Sequence, residues 1–214
     1  MTTKPTNHYW ACIAAVALWL VAVGLGMAAL LNYSNTPSHD GLAPAHWPAQ
    51  STIPRVAAQA TLVMFAHPRC ACTRASVGEL AVLMAHCQQL VSAHVVFFRP
   101  RGSAGDWAHS DLWRAAEVIP GVTVQADEDG QEARLFHADT SGHTVLYDAQ
   151  GHLVFNGGIT IARGHSGDNA GRDAIMAFLQ TKATDHAQTP VFGCPILDST
   201  SRTSNGVKLC TPLP

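Results

Sequence analysis

Charge is scarce in this chain. Asp, Glu, Lys and Arg make up 13% of its 214 residues, about half the share in an ordinary soluble domain. Thirteen basic residues against fifteen acidic ones give a formal charge of −2, and no basic cluster occurs anywhere. That excludes a nucleic-acid binder, which needs a Lys/Arg footprint for the phosphates. Internal repeats and low-complexity tracts are also missing. Apolar segments of strand and helix length recur instead, so wholesale disorder is excluded. What the chain does have is apolar residues at 47%, six cysteines and twelve histidines.

Part of the charge deficit lies in one run. Trp10 to Leu31 is 22 residues without a charge. As a helix it would span about 33 Å, against a bilayer core of roughly 30 Å. A helix buried in a soluble protein would have to be apolar on every face. The apolar core of a signal peptide is ordinarily about 7–15 residues. The run therefore reads as an uncleaved single-pass anchor. Lys4 and the α-amino group precede it, and the next basic residue after it is Arg55. The positive-inside rule then leaves residues 1–9 in the cytoplasm and sends the remainder outside. In a bacterium this is a protein of the inner membrane with its C-terminal domain in the periplasm. That compartment permits disulfides, so the cysteines read as redox or metal groups.

Residues 32–58, with Pro37, Pro44, Pro48 and Pro54, read as a tether, with Trp47 able to pack back on the domain. From residue 59 to 183 strand-like and helix-like patterns alternate. Thr61–Ala66 and His94–Phe98 are short buried strands, and Val122–Ala126 is a third. Helical periodicity covers Thr73–Leu90, Asp106–Val118, Gln131–His137 and Asp168–Thr181. Val145–Tyr147 and Leu153–Phe155 flank the turn signal Asp148-Ala149-Gln150-Gly151 and form a hairpin. Residues 184–214 are a tail with two cysteines and no clear period. The order β-α-β, an α/β insertion, then β-β-α predicts one α/β domain with a central mixed sheet flanked by helices.

The strongest chemical signal is Phe65-Ala66-His67-Pro68-Arg69-Cys70-Ala71-Cys72-Thr73. A buried strand ends, and two cysteines stand just ahead of a helix, whose free N–H groups and dipole favour a thiolate. Arg69 and Arg74 add positive potential, and His67 adjoins the thiols. A thiolate is the nucleophile of disulfide exchange and also a soft metal ligand. A bridge between residues two apart closes a small, strained ring, the reducible kind. Cys87, on the core face of the helix, reads as packing, and Cys12 lies in the apolar run.

Strand, cysteine pair and helix in this order resemble the thioredoxin superfamily, and the likeness covers about residues 56–183. The stretch from Asp127-Glu128-Asp129-Gly130 through Thr144-Val145-Leu146-Tyr147-Asp148-Ala149-Gln150-Gly151 looks like its membrane-anchored periplasmic TlpA-type and redoxin branch. His67-Pro68-Arg69-Cys70 and Arg163-Gly164-His165-Ser166-Gly167-Asp168-Asn169 are similar to bacterial proteins labelled RedB. The resemblance implies a thioredoxin-like fold and thiol–disulfide exchange through Cys70 and Cys72 with a periplasmic protein substrate or redox partner. Two departures stand out. One residue separates the cysteines where the superfamily has two, and His143 falls where its cis-proline would be. In its Gly142-His143-Thr144 context His143 resembles the ligand of Sco-type copper chaperones. That likeness implies a copper site of Cys70, Cys72 and His143.

The loop Thr160–Asn169 is expected at the cysteine end of the sheet. There His165 would be an acid/base group and Arg163 a partner for an anion or thiolate, with Asp168 or Ser166 capping the last helix. Cys194 and Cys210 in the tail read first as a structural disulfide, worth about 3 kcal/mol on the chain-entropy model. The other reading makes Cys194, in Phe192-Gly193-Cys194-Pro195, a resolving thiol for the pair.

Overall fold

A computed structural model describes residues 6–39 and 41–197. The chain divides at Thr36–Pro37 into an N-terminal helix and a domain. Helix α1 (Thr6–Asn35) carries the apolar run. Its Tyr9–Asn35 portion has a mean hydropathy of 2.4 and is long and apolar enough to cross a membrane.

The domain has a thioredoxin-like fold. Its sheet comprises β1 (Ala60–Ala66), β2 (Val91–Arg99), β3 (Val122–Glu128), β4 (Thr144–Tyr147) and β5 (Leu153–Gly157), in the order β3-β2-β1-β4-β5. β1 pairs parallel with β2, and β2 with β3, while β1–β4 and β4–β5 are antiparallel. All seven residues of β1 are buried, as an unbroken apolar run requires of a strand covered on both faces. Leu62, Met64 and Ala66 pack under α2 (Thr73–Cys87) and α5 (Ala170–Thr181). Val63 and Phe65 face the opposite layer, with Phe136 and Tyr147. The remaining helices are α3 (Asp111–Glu117) and α4 (Gln131–Leu135).

Helix starts differ from the sequence pattern where a side-chain cap intervenes. α3 begins at Asp111 because the Ser110 side chain accepts from the Trp113 N–H, which leaves Trp107 in the preceding turn. α5 begins at Ala170, and its cap is Asn169, whose Oδ1 accepts from the Arg172 N–H at 2.8 Å, not Asp168 or Ser166.

The proline-rich segment, read as a tether, covers the second sheet face. Ala43 and Ile53 are buried there, with Trp47 edge-on to Phe136 and Tyr147. Buried Glu132 receives the Thr52 N–H and the Ser51 and Thr52 hydroxyls, each at 2.7 Å. A composition of Pro, Ser and Thr conceals this, because few apolar side chains do the covering. The tail does likewise up to residue 197. Cys210 lies outside the described residues, so the Cys194–Cys210 bridge does too.

Register places the site. Met64 pairs with Thr144, and Thr144 with Gly157. The end of β1, the start of β4 and the end of β5 therefore share one edge, where the cysteine loop lies.

Candidate active site

The loop after β1 is a succession of tight turns that runs into α2. Cys70 N–H bonds His67 O, Thr73 N–H bonds Cys70 O, and Arg74 and Ala75 N–H bond Ala71 and Cys72 O, at 3.0–3.3 Å. Cys72 is the helix N-cap, with right-handed helical backbone and no side-chain cap. Cys70 is buried at 2% exposure, and Cys72 is half-buried. By exposure Cys72 is the accessible member of the pair.

A third thiol completes the site. Cys194 brings its Sγ to the pair, and the three sulfurs all lie within 4.8 Å of one another. Each of these thiols is free. The segment carrying Cys194 is fixed by its backbone. Ser141 N–H donates to Cys194 O at 2.8 Å, Ile196 N–H donates to Asp139 O at 2.9 Å, and Pro195 bridges Thr140. The Gly193 carbonyl accepts from the Ser38 hydroxyl at 2.7 Å and from the Arg163 guanidinium. A Cβ at position 193 would run into the Ser141 carbonyl, so only glycine allows this approach.

Three thiols this close cannot behave independently. The Cys194 S–H donates to the Cys70 sulfur, as do Cys72 and Thr73, and together they hold the Cys70 thiol far below its ordinary value against the opposing effect of burial. Cys72 is raised: the Cys194 hydrogen bond pulls it down, but donation to Cys70, burial and the Cys70 charge outweigh this, with Arg163 partly offsetting them. Cys194 is raised too, chiefly by donating to Cys70 and Cys72. These effects favour the thiolate at Cys70 over the other two positions.

Ser141 anchors the floor of the site. Its Oγ accepts the His67 N–H at 2.7 Å and lies 2.5 Å from Thr73 Oγ1. Because Thr73 donates to Cys70, the Ser141 hydroxyl donates to Thr73, and the chain of donors points at the thiolate. Gly142, at φ 93°, makes the turn into β4 and passes close over Ser76.

The other sequence candidates separate. His67 stacks on Phe98, and its Nδ1 accepts the Arg69 N–H at 3.2 Å. The Arg69 guanidinium lies over Trp107, 4.7 Å from the ring centre, and Arg74 pairs with Asp111. Of the three arginines, Arg163 is the one whose charge reaches Cys72. His165 is exposed, its Nδ1 at 2.8 Å from Arg163 O. His143 is fully buried and donates from Nε2 to Asn156 Oδ1 at 2.8 Å. Burial holds it below its ordinary pKa, with the Asn156 bond opposing. It does not join the compact thiol group, whose third member is Cys194.

Some contributors were not singled out in the sequence. Buried Glu79 on α2 receives the Gly167 N–H at 2.7 Å and the Arg172 guanidinium at 2.6 Å, which ties the Thr160–Asn169 loop to α2. A carboxylate among the buried positions of that helix was the available signal. Ser141 and Thr73 gave none, since their roles come from contacts distant in sequence.

No family profile and no curated relative matches the chain. Solved structures do. An uncharacterized conserved protein from Geobacillus kaustophilus superposes with a TM-score of 0.56 at 20% identity, over 79% of this chain and 96% of that one. A hypothetical protein from Sinorhizobium meliloti gives 0.54 at 21%, over 76% and 96%. A secreted Mycobacterium tuberculosis disulfide oxidoreductase gives 0.40 at 15%, over 58% and 82%. The first two likenesses establish a shared fold. The present chain is thus a thioredoxin-like domain with three thiols gathered at the β1–α2 junction.

Proposed function

We propose that this protein performs thiol–disulfide exchange through Cys70 and Cys72, on a thioredoxin-like domain held at the periplasmic face of the inner membrane by α1. We place it, on its motifs, with the membrane-anchored TlpA-type and RedB-labelled redoxins. The observation that carries the reading is the convergence of three thiols within 4.8 Å of one another at the start of α2. A thiolate beside further thiols is what attack on a disulfide and resolution of the mixed disulfide require. A periplasmic protein disulfide or dithiol is the implied partner, reached through the half-buried Cys72. Burial keeps Cys70 from such a partner. Arg163 and His67 serve by position, one through its charge and one through the loop backbone.

A Sco-like copper site would need His143 among the thiols. The present residues do not fit that set, because His143 faces Asn156. Mass-tag trapping of the full chain in detergent across a glutathione series tests the redox reading. At least two of the clustered thiols should change state within the periplasmic range, and thiols that never change state overturn it.

A further inference from the structure

We infer that the disulfide formed in the catalytic cycle joins Cys72 to Cys194, so that Cys194 is the resolving thiol and a catalytic residue. The inference rests on the proposed exchange function and assigns its second sulfur.

The turn geometry argues against a bond within the pair. Cys70 and Cys72 belong to a series of helical turns closed by the Thr73, Arg74 and Ala75 N–H groups. The Cys70 and Cys72 sulfurs also lie within 4.8 Å of each other, so it is the backbone between them, not their separation, that opposes a bond. A bond between them closes a small ring and needs the backbone to move. That movement would strain the hydrogen bonds that open α2. Cys194 has no such constraint. It comes from a separate segment more than a hundred residues away in sequence. Its sulfur already lies within 4.8 Å of both others, so closing a bond to Cys72 takes side-chain rotation while the turn stays folded.

The approach of Cys194 is built. Its carbonyl and the Gly193 carbonyl are both engaged, by Ser141 N–H and by Ser38 and Arg163. Gly193 is confined against the Ser141 backbone. Val191 and Ile196 are buried on either side. A segment serving only as a tail would need none of these. Accessibility divides the roles, since Cys70 is buried while Cys72 and Cys194 are half-buried.

The step balances. Cys72 releases its proton to water and attacks one sulfur of a substrate disulfide. A Cys72–substrate disulfide forms, the substrate S–S bond breaks, and the departing thiolate takes up a proton. Cys194 releases its proton to water and attacks Cys72 Sγ. The Cys72–Cys194 bond forms and the second substrate thiolate leaves and is protonated. Two protein thiols lose two electrons, and one substrate disulfide becomes two thiols. A partner dithiol reverses the change on the protein.

Two measurements on the full chain in detergent test this. The wild type, oxidised with a model peptide disulfide and digested under acid, should yield a peptide pair cross-linked through Cys72 and Cys194. A loop linked only within Cys70–Cys72, or a Cys194–Cys210 bond, overturns the assignment. So does metal held by the three thiols of the isolated protein that blocks their oxidation. In turnover of the same peptide, Cys194→Ser should be slowed roughly tenfold or more and should accumulate a mixed disulfide on Cys72. Cys70→Ser should still resolve its mixed disulfide. If Cys194→Ser turns over like wild type while Cys70→Ser stalls, the resolving thiol is Cys70. If the wild type exchanges with no disulfide at all, the exchange reading itself falls, and this assignment with it. The cross-link map needs no variant, so a misfolded variant does not shield the claim.

Discussion

At the scale of single residues, the site is an exercise in donors aimed at one sulfur. The chain from His67 N–H through Ser141 and Thr73 ends on Cys70, and the other two thiols donate there as well. The Cys194 hydrogen bond is the largest of these effects. Replacing Cys194 with alanine should therefore raise the thiolate pKa most. Thr73→Val, nearly isosteric, should raise it by less. Ultraviolet thiolate absorbance titrated with pH reads both changes. In the reduced wild type about one thiolate per chain should persist well below the ordinary cysteine pKa of ~8.5. A wild type with no thiolate there would overturn the donor scheme. Buried His143 works in the opposite sense for stability. Its folded pKa lies below its unfolded value, so the unfolded chain binds the proton first as pH falls. Its contribution is complete above pH ~6.5 and is lost as pH drops toward the folded value. The Tm should fall as pH drops below about 6.5, and His143→Gln should make that fall shallower. His94, also lowered by burial, supplies a further part of the slope.

Among the elements, the tie between α2 and α5 has the clearest energetic consequence. Glu79 is 3% exposed and Arg172 is 12% exposed at their side chains. Glu79→Ala would leave the guanidinium and the Gly167 N–H without their shared acceptor. Losing one partner of a buried pair costs on the order of 3–5 kcal/mol. Urea unfolding of the domain should show a loss of that size, and Glu79→Gln a smaller one. A loss under about 0.5 kcal/mol would mean water replaces the carboxylate, as at surface pairs. Elements were the most legible level of this sequence. The five strands and the main helices announce themselves by period, and burial of β1 on both faces follows from its unbroken apolar run. The misplaced boundaries, at α3 and α5, are positions where a cap decided the start. The covering role of residues 41–55 was hidden because hydrogen bonds to Glu132, not apolar periodicity, fix it.

For the whole molecule, Cys70 and Cys72 stood out by motif, whereas the choice between two partners for Cys194 did not resolve. Spacing along the chain carries no information on whether residue 194 meets residue 72 or residue 210. The isolated bridge between Thr140 and Pro195 sets Cys194 beside Cys70 and Cys72, while Cys210 lies outside the described residues. On the proposed exchange function compartment matters, since exchanging thiols are useful where disulfides form and persist. The proposed orientation follows from charge alone. Lys4 precedes the apolar helix, and no basic residue follows it until Arg55. Positive flanks stay in the cytoplasm. A phosphatase active only outside the cytoplasm, fused after residue 214, should be active, and a reporter active only inside should be silent at the same junction. Moving the charge bias tests the cause. Lys4→Glu combined with Asn32→Lys and Asn35→Arg should reverse both signals, because the flanking Lys/Arg asymmetry sets the orientation. An unmodified chain that lights the cytoplasmic reporter would put the thiols in a reducing compartment. The partner of the domain would then have to be sought among cytosolic dithiols.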